Sequence, residues 1–446
     1  MKKFFTTLSN IWKIEDLRVR ITNTLLFLLI YRVGTFVRLP GVSDAVASKG
    51  KAEGLVGLLN MFAGGAFSHV SIFALGVMPY ISASIVMQLL GIAVPYFAKM
   101  QKEGESGRNK INQWTRYLTI LITAVQAVAY LRSQITPDEM LLANPLFTVV
   151  NTFVLTAGTL FVMWLGEKIT DKGIGNGISL IIMVGIIAQL PGAFVAEFQN
   201  RTTGSGGLIT FIVELVALIG VVMFTILIVQ GTRKIAVQYA KRIVGNKQYG
   251  GVRQYIPLKV NAAGVMPIIF AQALMFIPAT LQSFFPNAGS NGILMMLANY
   301  NSWLHNLLFA ILIIVFTYFY TAITVNPKQM AEDMKRNSGF IPGVKPGDAT
   351  TSYIDDVISK ITLPGSIFLA IIAIIPALVS LVGVNTLFAR FFGGTSLIIL
   401  VGVVLDTLQQ IESHLLMRHY DGLMKTGRIT GRTSIPAAAG TTPTAI

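Results

Sequence analysis

Residues 208–229 form an apolar run broken by a single charge, Glu214. A helix rising about 1.5 Å per residue needs roughly 20 such residues to cross the hydrocarbon core of a bilayer. Comparable segments lie at 21–39, 72–94, 117–135, 146–165, 178–198, 260–284, 303–325, 361–382 and 394–416. Together they predict an all-α membrane protein with ten transmembrane helices. Only 12% of the 446 residues are charged, against about 25% in soluble domains. Prolines at 79, 95, 191, 267, 278, 364 and 376 sit in or beside these segments. Bundled membrane helices tolerate them, because neighbours re-satisfy the freed carbonyls.

The chain has no cysteine, which rules out disulfides, thiolate metal sites and cysteine nucleophiles. Residues 1–20 are basic and amphipathic and lack the short apolar core of a cleavable signal. They are expected to be a cytoplasmic N-terminus. A net charge of +15 takes its meaning from where the charges fall. Of the 35 Lys and Arg, 28 lie in the N-terminus, the even-numbered loops and the tail, and 5 in the odd-numbered loops. Both termini and the large loops 231–259 and 326–360 are therefore expected in the cytoplasm, with 417–446 as a tail. Five spans (21–198) precede the linker at 199–207 and five follow it (199–416). An odd number per half gives the halves opposite topology, the arithmetic of an inverted repeat with a pathway between them.

Residues 55–65 alternate apolar side chains with Gly57, Asn60, Gly64 and Gly65. The stretch 55–67 is too short to cross. It is either an interfacial segment or a short plug folded into a cavity, the one setting where irregular backbone is tolerated at membrane depth. Val77 and Ile81 share a helix face, as do Ile178 and Ile182; Ile269 and Ile399 lie in the seventh and tenth spans. Aliphatics at helical spacing ordinarily face lipid or core, so spacing alone does not single these out. Ser82, Ser84, Gln88, Asn176 and Asn261 lie at membrane depth, where each interhelical hydrogen bond is worth about 0.6–2 kcal/mol. They read as packing contacts or as an exchangeable seam. Glu214 and Asp406 are acidic groups near membrane depth and so candidates for proton relay, without evident acidic or histidine partners in the sequence.

Several ordered blocks closely resemble the SecY family, the central subunits of the bacterial Sec protein-translocation channel. They are NMFAGGAFSHVSIFALGVMPYISASIVMQLL (60–90), KEGESGR (102–108), WLGEKITDKGIGNGIS (164–179), PLKVNAAGVMPIIFA (257–271), GFIPGVKPGDATTSYID (339–355) and FFGGTSL (391–397). The resemblance implies an hourglass channel between two inverted five-helix halves, clamped by a small partner helix. It implies a plug helix near 60–71, comprising Asn60, Met61, Phe62, Ala63, Gly64, Gly65, Ala66, Phe67 and Ser68. It implies a pore ring of Val77, Ile81, Ile178, Ile182, Ile269 and Ile399. Spans 2, 3, 7 and 8 would form a lateral gate, with Ser82, Gln88 and Asn176 among its polar positions. Arg233, Lys234, Lys241, Arg242, Lys247, Arg253 and Lys345 would dock the SecA motor or the ribosome. SecE, SecG, SecDF, YidC, signal sequences, unfolded precursors and lipid are the further implied partners, in the bacterial inner membrane.

Three departures from the family pattern bear on this. Lys345 stands where arginine is usual, keeping the charge but losing bidentate geometry. Val77 replaces the common isoleucine. The loop tip 245–251 carries only Lys247. Two other classes compete. A secondary transporter would place ionisable groups at the midplane, and the waist here is aliphatic. A hydrolase is disfavoured by the lack of HExxH and of a paired arrangement among His69, His305, His414 and His419. GIGNG (173–177) lacks the Lys-Ser/Thr of a phosphate loop and reads as a tight turn. Neither a cofactor nor a catalytic activity is expected.

Overall fold

The fold was analysed in a computed structural model. It describes residues 14–43, 60–135, 140–141, 144–203, 207–239, 242–244, 247–249, 253–284, 296–297, 299 and 302–426. Ten helices carry the ten apolar segments. They are α1 (Glu15–Gly34), α2 (Met78–Ala93), α4 (Glu105–Gln134), α5 (Asn144–Lys172), α6 (Gly177–Thr203), α7 (Gly207–Gln230), α8 (Met266–Phe284), α9 (Trp303–Thr324), α11 (Asp348–Leu381) and α13 (Gly394–Thr426). Among the described residues, six are long and apolar enough to cross a membrane, or seven if α2 and the short α3 (Pro95–Lys102) are one broken span. Charge at both ends of α1 and the polar residues of α4 keep those two below the threshold.

Several boundaries differ from the expected ones. The second span starts as a helix only at Met78, because residues 72–77 are turns. It ends at Ala93, where Pro95 forces Val94 into an extended conformation (φ −113°, ψ 118°). The axis turns by 103° there. Helices α4 and α11 reach back into the basic loops, starting at Glu105 and Asp348. Buried hydroxyls in α4 cost little, because Thr115, Thr119 and Thr123 each donate to the carbonyl four residues earlier.

The all-α reading holds for the membrane body, but the two large loops add a small sheet. Strand β1 (Thr232–Tyr239) pairs antiparallel with β4 (Arg253–Lys259) and with β5 (Gly339–Phe340). Strands β2 (Arg242–Val244) and β3 (Lys247–Tyr249) form a hairpin between β1 and β4. Ile235 and Val237 of β1 are buried at alternate positions, as period-two pairing requires. They pack with Leu258, Ile341, Met334 of α10 (Pro327–Arg336) and Ile354 of α11. The loops that sequence treats as separate thus share one core.

Inside the bundle, α2 packs on α4, α8 packs on both, and α9 packs on α8 and α11. Elsewhere α6 packs on α7 and α13. One apolar core draws from both halves. A second lies within the first half, between the ends of α1, α4 and α5.

Candidate functional site

The segment leading into α2 occupies the join between these two cores. Residues 60–62 are helical and 63–70 are turns, so within the described residues the expected plug is one short helical end followed by turns. Residues 55–59 lie outside the described residues. Met61 and Phe62 enter the core shared by both halves, whereas Ala63, Ala66, Phe67 and Val70 enter the core of the first half. Gly64 and Gly65 are buried, Asn60 and Ser68 are half-buried, and His69 is exposed. The interfacial alternative is thereby disfavoured, since such a segment would bury only one face.

The segment's own polar groups close locally and onto its surroundings. Ser68 N donates to Asn60 Oδ1 (2.9 Å). Tyr31 Oη donates to Ala63 O (3.4 Å), Arg32 Nη1 to Gly64 O (2.5 Å), Tyr130 Oη to Phe67 O (2.8 Å) and Gln189 Nε2 to Asn60 O (2.7 Å). Val70 adopts φ 49°, a left-handed conformation costly for a β-branched residue. There the chain turns toward α2. Leu39 N donates to Val70 O and Ile72 N to Val37 O, which ties this turn to the end of α1. A cavity of about 280 Å³ lies over the segment, lined among others by Arg32, Gly64, Ser68, Gln189 and Arg390.

The six branched aliphatics come from four helix starts. Val77 immediately precedes α2, Ile81 is in its first turn, Ile178 and Ile182 open α6, Ile269 opens α8 and Ile399 is in the second turn of α13. All but Ile178 are buried, and Ile178 packs against the same core that contains Met61 and Phe62. Residues from four helices of both halves thus share one apolar core with Met61 and Phe62.

The three polar positions separate. Gln88 of α2 accepts from Tyr320 Oη of α9, bridging the two halves where α2 and α4 meet α8. Its Nε2 donates to Ser84 Oγ (3.3 Å). Ser82 donates to Met78 O of its own helix. Asn176 is exposed and caps α6, its Oδ1 accepting from Ile178 N and Ser179 N. GIGNG is the tight turn expected, and Gly175 N donates to Gln410 Oε1 of α13 (2.8 Å).

Of the basic positions, Arg233, Lys234, Arg253 and Lys345 are exposed on the sheet body and on the turn before α11. Lys241 and the side chains of Arg242 and Lys247 lie outside the described residues. Asp406 is exposed on α13. Glu214 does have partners: Arg201 Nη2 approaches its Oε1 at 2.5 Å, and the same guanidinium meets Glu197 Oε1 at 2.8 Å. Asn385 N donates to Glu197 Oε2, and Arg201 also donates to Gly383 O. This fastens α6, α7 and the loop before the short helix α12 (Thr386–Ala389) to one another.

Sequence reading missed Tyr31, Arg32, Tyr130 and Gln189. Arg32 left a signal, a cation inside an apolar run, which marks function by default. The other three look like ordinary span residues.

The SecY family model matches residues 71–408. The chain is 43% identical over 440 residues to the protein translocase subunit SecY of Halalkalibacterium halodurans, covering 94% of this chain and all of that one. It is 41% identical to the SecY of Streptomyces galbus at the same coverage. Among solved structures it resembles a protein-conducting channel (TM-score 0.65, 18% identity, 92% of this chain and 95% of that one). It also resembles a SecY whose plug domain stabilises the closed state and maintains a membrane seal (TM-score 0.62, 19% identity, 92% and 95%). A third likeness is to Sec61 in the canine ribosome–channel complex from the endoplasmic reticulum (TM-score 0.61, 17% identity, 92% and 95%). The match over most of the chain, together with the same helical architecture, shows that this chain belongs to the SecY family.

Proposed function

We propose that this chain is the central channel-forming subunit of a Sec translocase in a bacterial plasma membrane, with both termini cytoplasmic. It passes unfolded secretory polypeptides between its two halves and releases apolar segments sideways into lipid. The observation that carries this reading is that Met61 and Phe62 of the buried segment 60–70 share one apolar core with branched aliphatics contributed by both halves. An aliphatic waist gives no midplane site for a coupling ion, which leaves the secondary transporter unsupported. In this reading Val77, Ile81, Ile178, Ile182, Ile269 and Ile399 are the constriction and 60–71 is the plug. Spans α2, α4, α8 and α9 form the lateral exit, bridged by Tyr320 and Gln88. A signal sequence of about one span leaves through it by ordinary transfer energetics.

The sheet body with Arg233, Lys234 and Arg253, and the turn with Lys345, dock a motor ATPase of the SecA type or the ribosome. The exposure of these four cations supports that role. Their attraction to phosphates or acidic patches falls with salt. SecE- and SecG-type subunits complete the complex, with SecDF and YidC as accessory partners.

Depletion of the chain tests the whole reading: export of a signal-bearing precursor and insertion of membrane proteins should both fail, and undisturbed export sinks it. Replacing Ile81 and Ile182 together with serine tests the constriction, with a raised resting ion leak as the expected result.

A further inference from the structure

The segment after Asn60 closes its own turns, with Gly65 N donating to Asn60 O, Ala66 N to Ala63 O and Val70 N to Phe67 O, and it is gripped a second time from outside. Four of its main-chain oxygens, those of Asn60, Ala63, Gly64 and Phe67, also accept from four side chains on three helices: Gln189 of α6, Tyr31 and Arg32 of the last turn of α1, and Tyr130 of α4. Every donor is a side chain and every acceptor is backbone, so the grip ignores which side chains the segment carries. At its other end the segment is tied by backbone alone, through Leu39–Val70 and Val37–Ile72. Arg32 is held over the Phe36 ring (4.9 Å) and opens onto the cavity above the segment. Its guanidinium can therefore exchange Gly64 O for water without crossing lipid.

We infer that Tyr31, Arg32, Tyr130 and Gln189 form a latch whose release sets how readily the plug leaves, while the backbone tie at 70–72 keeps the displaced plug attached. The inference rests on reading 60–71 as a plug. These are positioning residues. Loss of one neutral donor should raise the open fraction about 2- to 12-fold, and loss of the charged donor about 12- to 150-fold.

The chain has no cysteine, so Ser68→Cys supplies a unique thiol on the plug. The complex purified through this chain is placed in proteoliposomes. Labelling of that thiol by an impermeant maleimide is followed together with resting ion flux. Tyr130→Phe and Gln189→Met keep the size and remove the donor; Arg32→Gln removes the charge. A variant lacking 60–71 is the reference for an absent plug, with Ile81→Ser/Ile182→Ser as the leaking reference if that variant does not assemble. The expected result is faster labelling and flux in all three point variants, largest for Arg32→Gln, with unchanged melting temperature in the two shape-preserving ones. Wild-type labelling and flux in those variants, beside a leaking reference, overturns the latch and leaves the plug standing. A plug-less variant that assembles and does not leak overturns both.

Discussion

Gly185 faces the buried segment with no room for a side chain. A Cβ added there would lie 2.6 Å from Phe62 O and 3.1 Å from Gly64 N, both backbone atoms. Backbone cannot rotate away as a side-chain tip can, so Gly185→Ala should push the segment off α6 while leaving the aliphatic cluster's composition untouched. The expected outcome is a raised resting leak with normal membrane insertion, measured by ion flux in proteoliposomes. Lys345 poses the opposite case. It is exposed in a turn flanked by Gly343 (φ 88°) and Gly347 (φ 108°), conformations that glycine adopts without strain. Its carbonyl, not its ammonium, is used internally, accepting from Thr350 Oγ1. Lys345→Ala should change stability by less than about 0.5 kcal/mol and lower motor-driven precursor export. Lys345→Arg should keep or improve export, because the fork adds a second donor toward a carboxylate. Export assays alongside thermal melts separate the two effects.

At the scale of elements, legibility followed periodicity and charge. Spans such as 208–229 declare themselves because lipid leaves only closed hydrogen-bonding solutions, and a long apolar helix has one reading. The sheet body did not declare itself. In β1 the buried Ile235 and Val237 alternate with Lys234 and Ala236, a period-two signal only a few residues long inside a strongly basic loop. Its partner β5 is two residues long and about a hundred positions away. The turn-rich segment 60–70 was legible as an interruption, but its donors were not. Tyr31, Tyr130 and Gln189 act on backbone oxygens, which leave no complementary residue type to find. Because the sheet body has a core of its own, it should fail separately from the spans. Ile354 is buried among Val237, Leu258 and Met334. Truncation by Ile354→Ala should cost about 2–5 kcal/mol. Limited proteolysis should then cut within 231–259 while the spans remain protected.

The whole molecule is fastened unevenly. On the side where α6 meets α7 and α13, the halves are joined at both ends: Gly175 to Gln410 at one, and Glu197, Arg201 and Glu214 with the loop at 383–385 at the other. The guanidinium of Arg201 is shared by two carboxylates, and the Glu197 side chain is fully buried. Removing one member of a buried ionic group costs far more than the group contributes over an apolar substitute, about 3–5 kcal/mol, because the remaining charges stay buried. Arg201→Ala should therefore lower the melting temperature and the yield of assembled protein. By contrast, α2 and α4 meet α8 across packing in which the cross-half side-chain bond is the neutral Tyr320–Gln88 pair between α9 and α2. Such a bond is worth about 0.6–2 kcal/mol in a membrane, little enough to be exchanged each time the seam parts. Tyr320→Phe should leave melting nearly unchanged and shift the closed–open equilibrium by roughly 3- to 30-fold toward open. Crosslinking between introduced cysteines on α2 and α9 reports it: the closed-state crosslink should form more slowly in Tyr320→Phe, and a precursor with a shortened apolar signal should be exported better. An unchanged crosslinking rate would mean that apolar packing, not this bond, holds the seam.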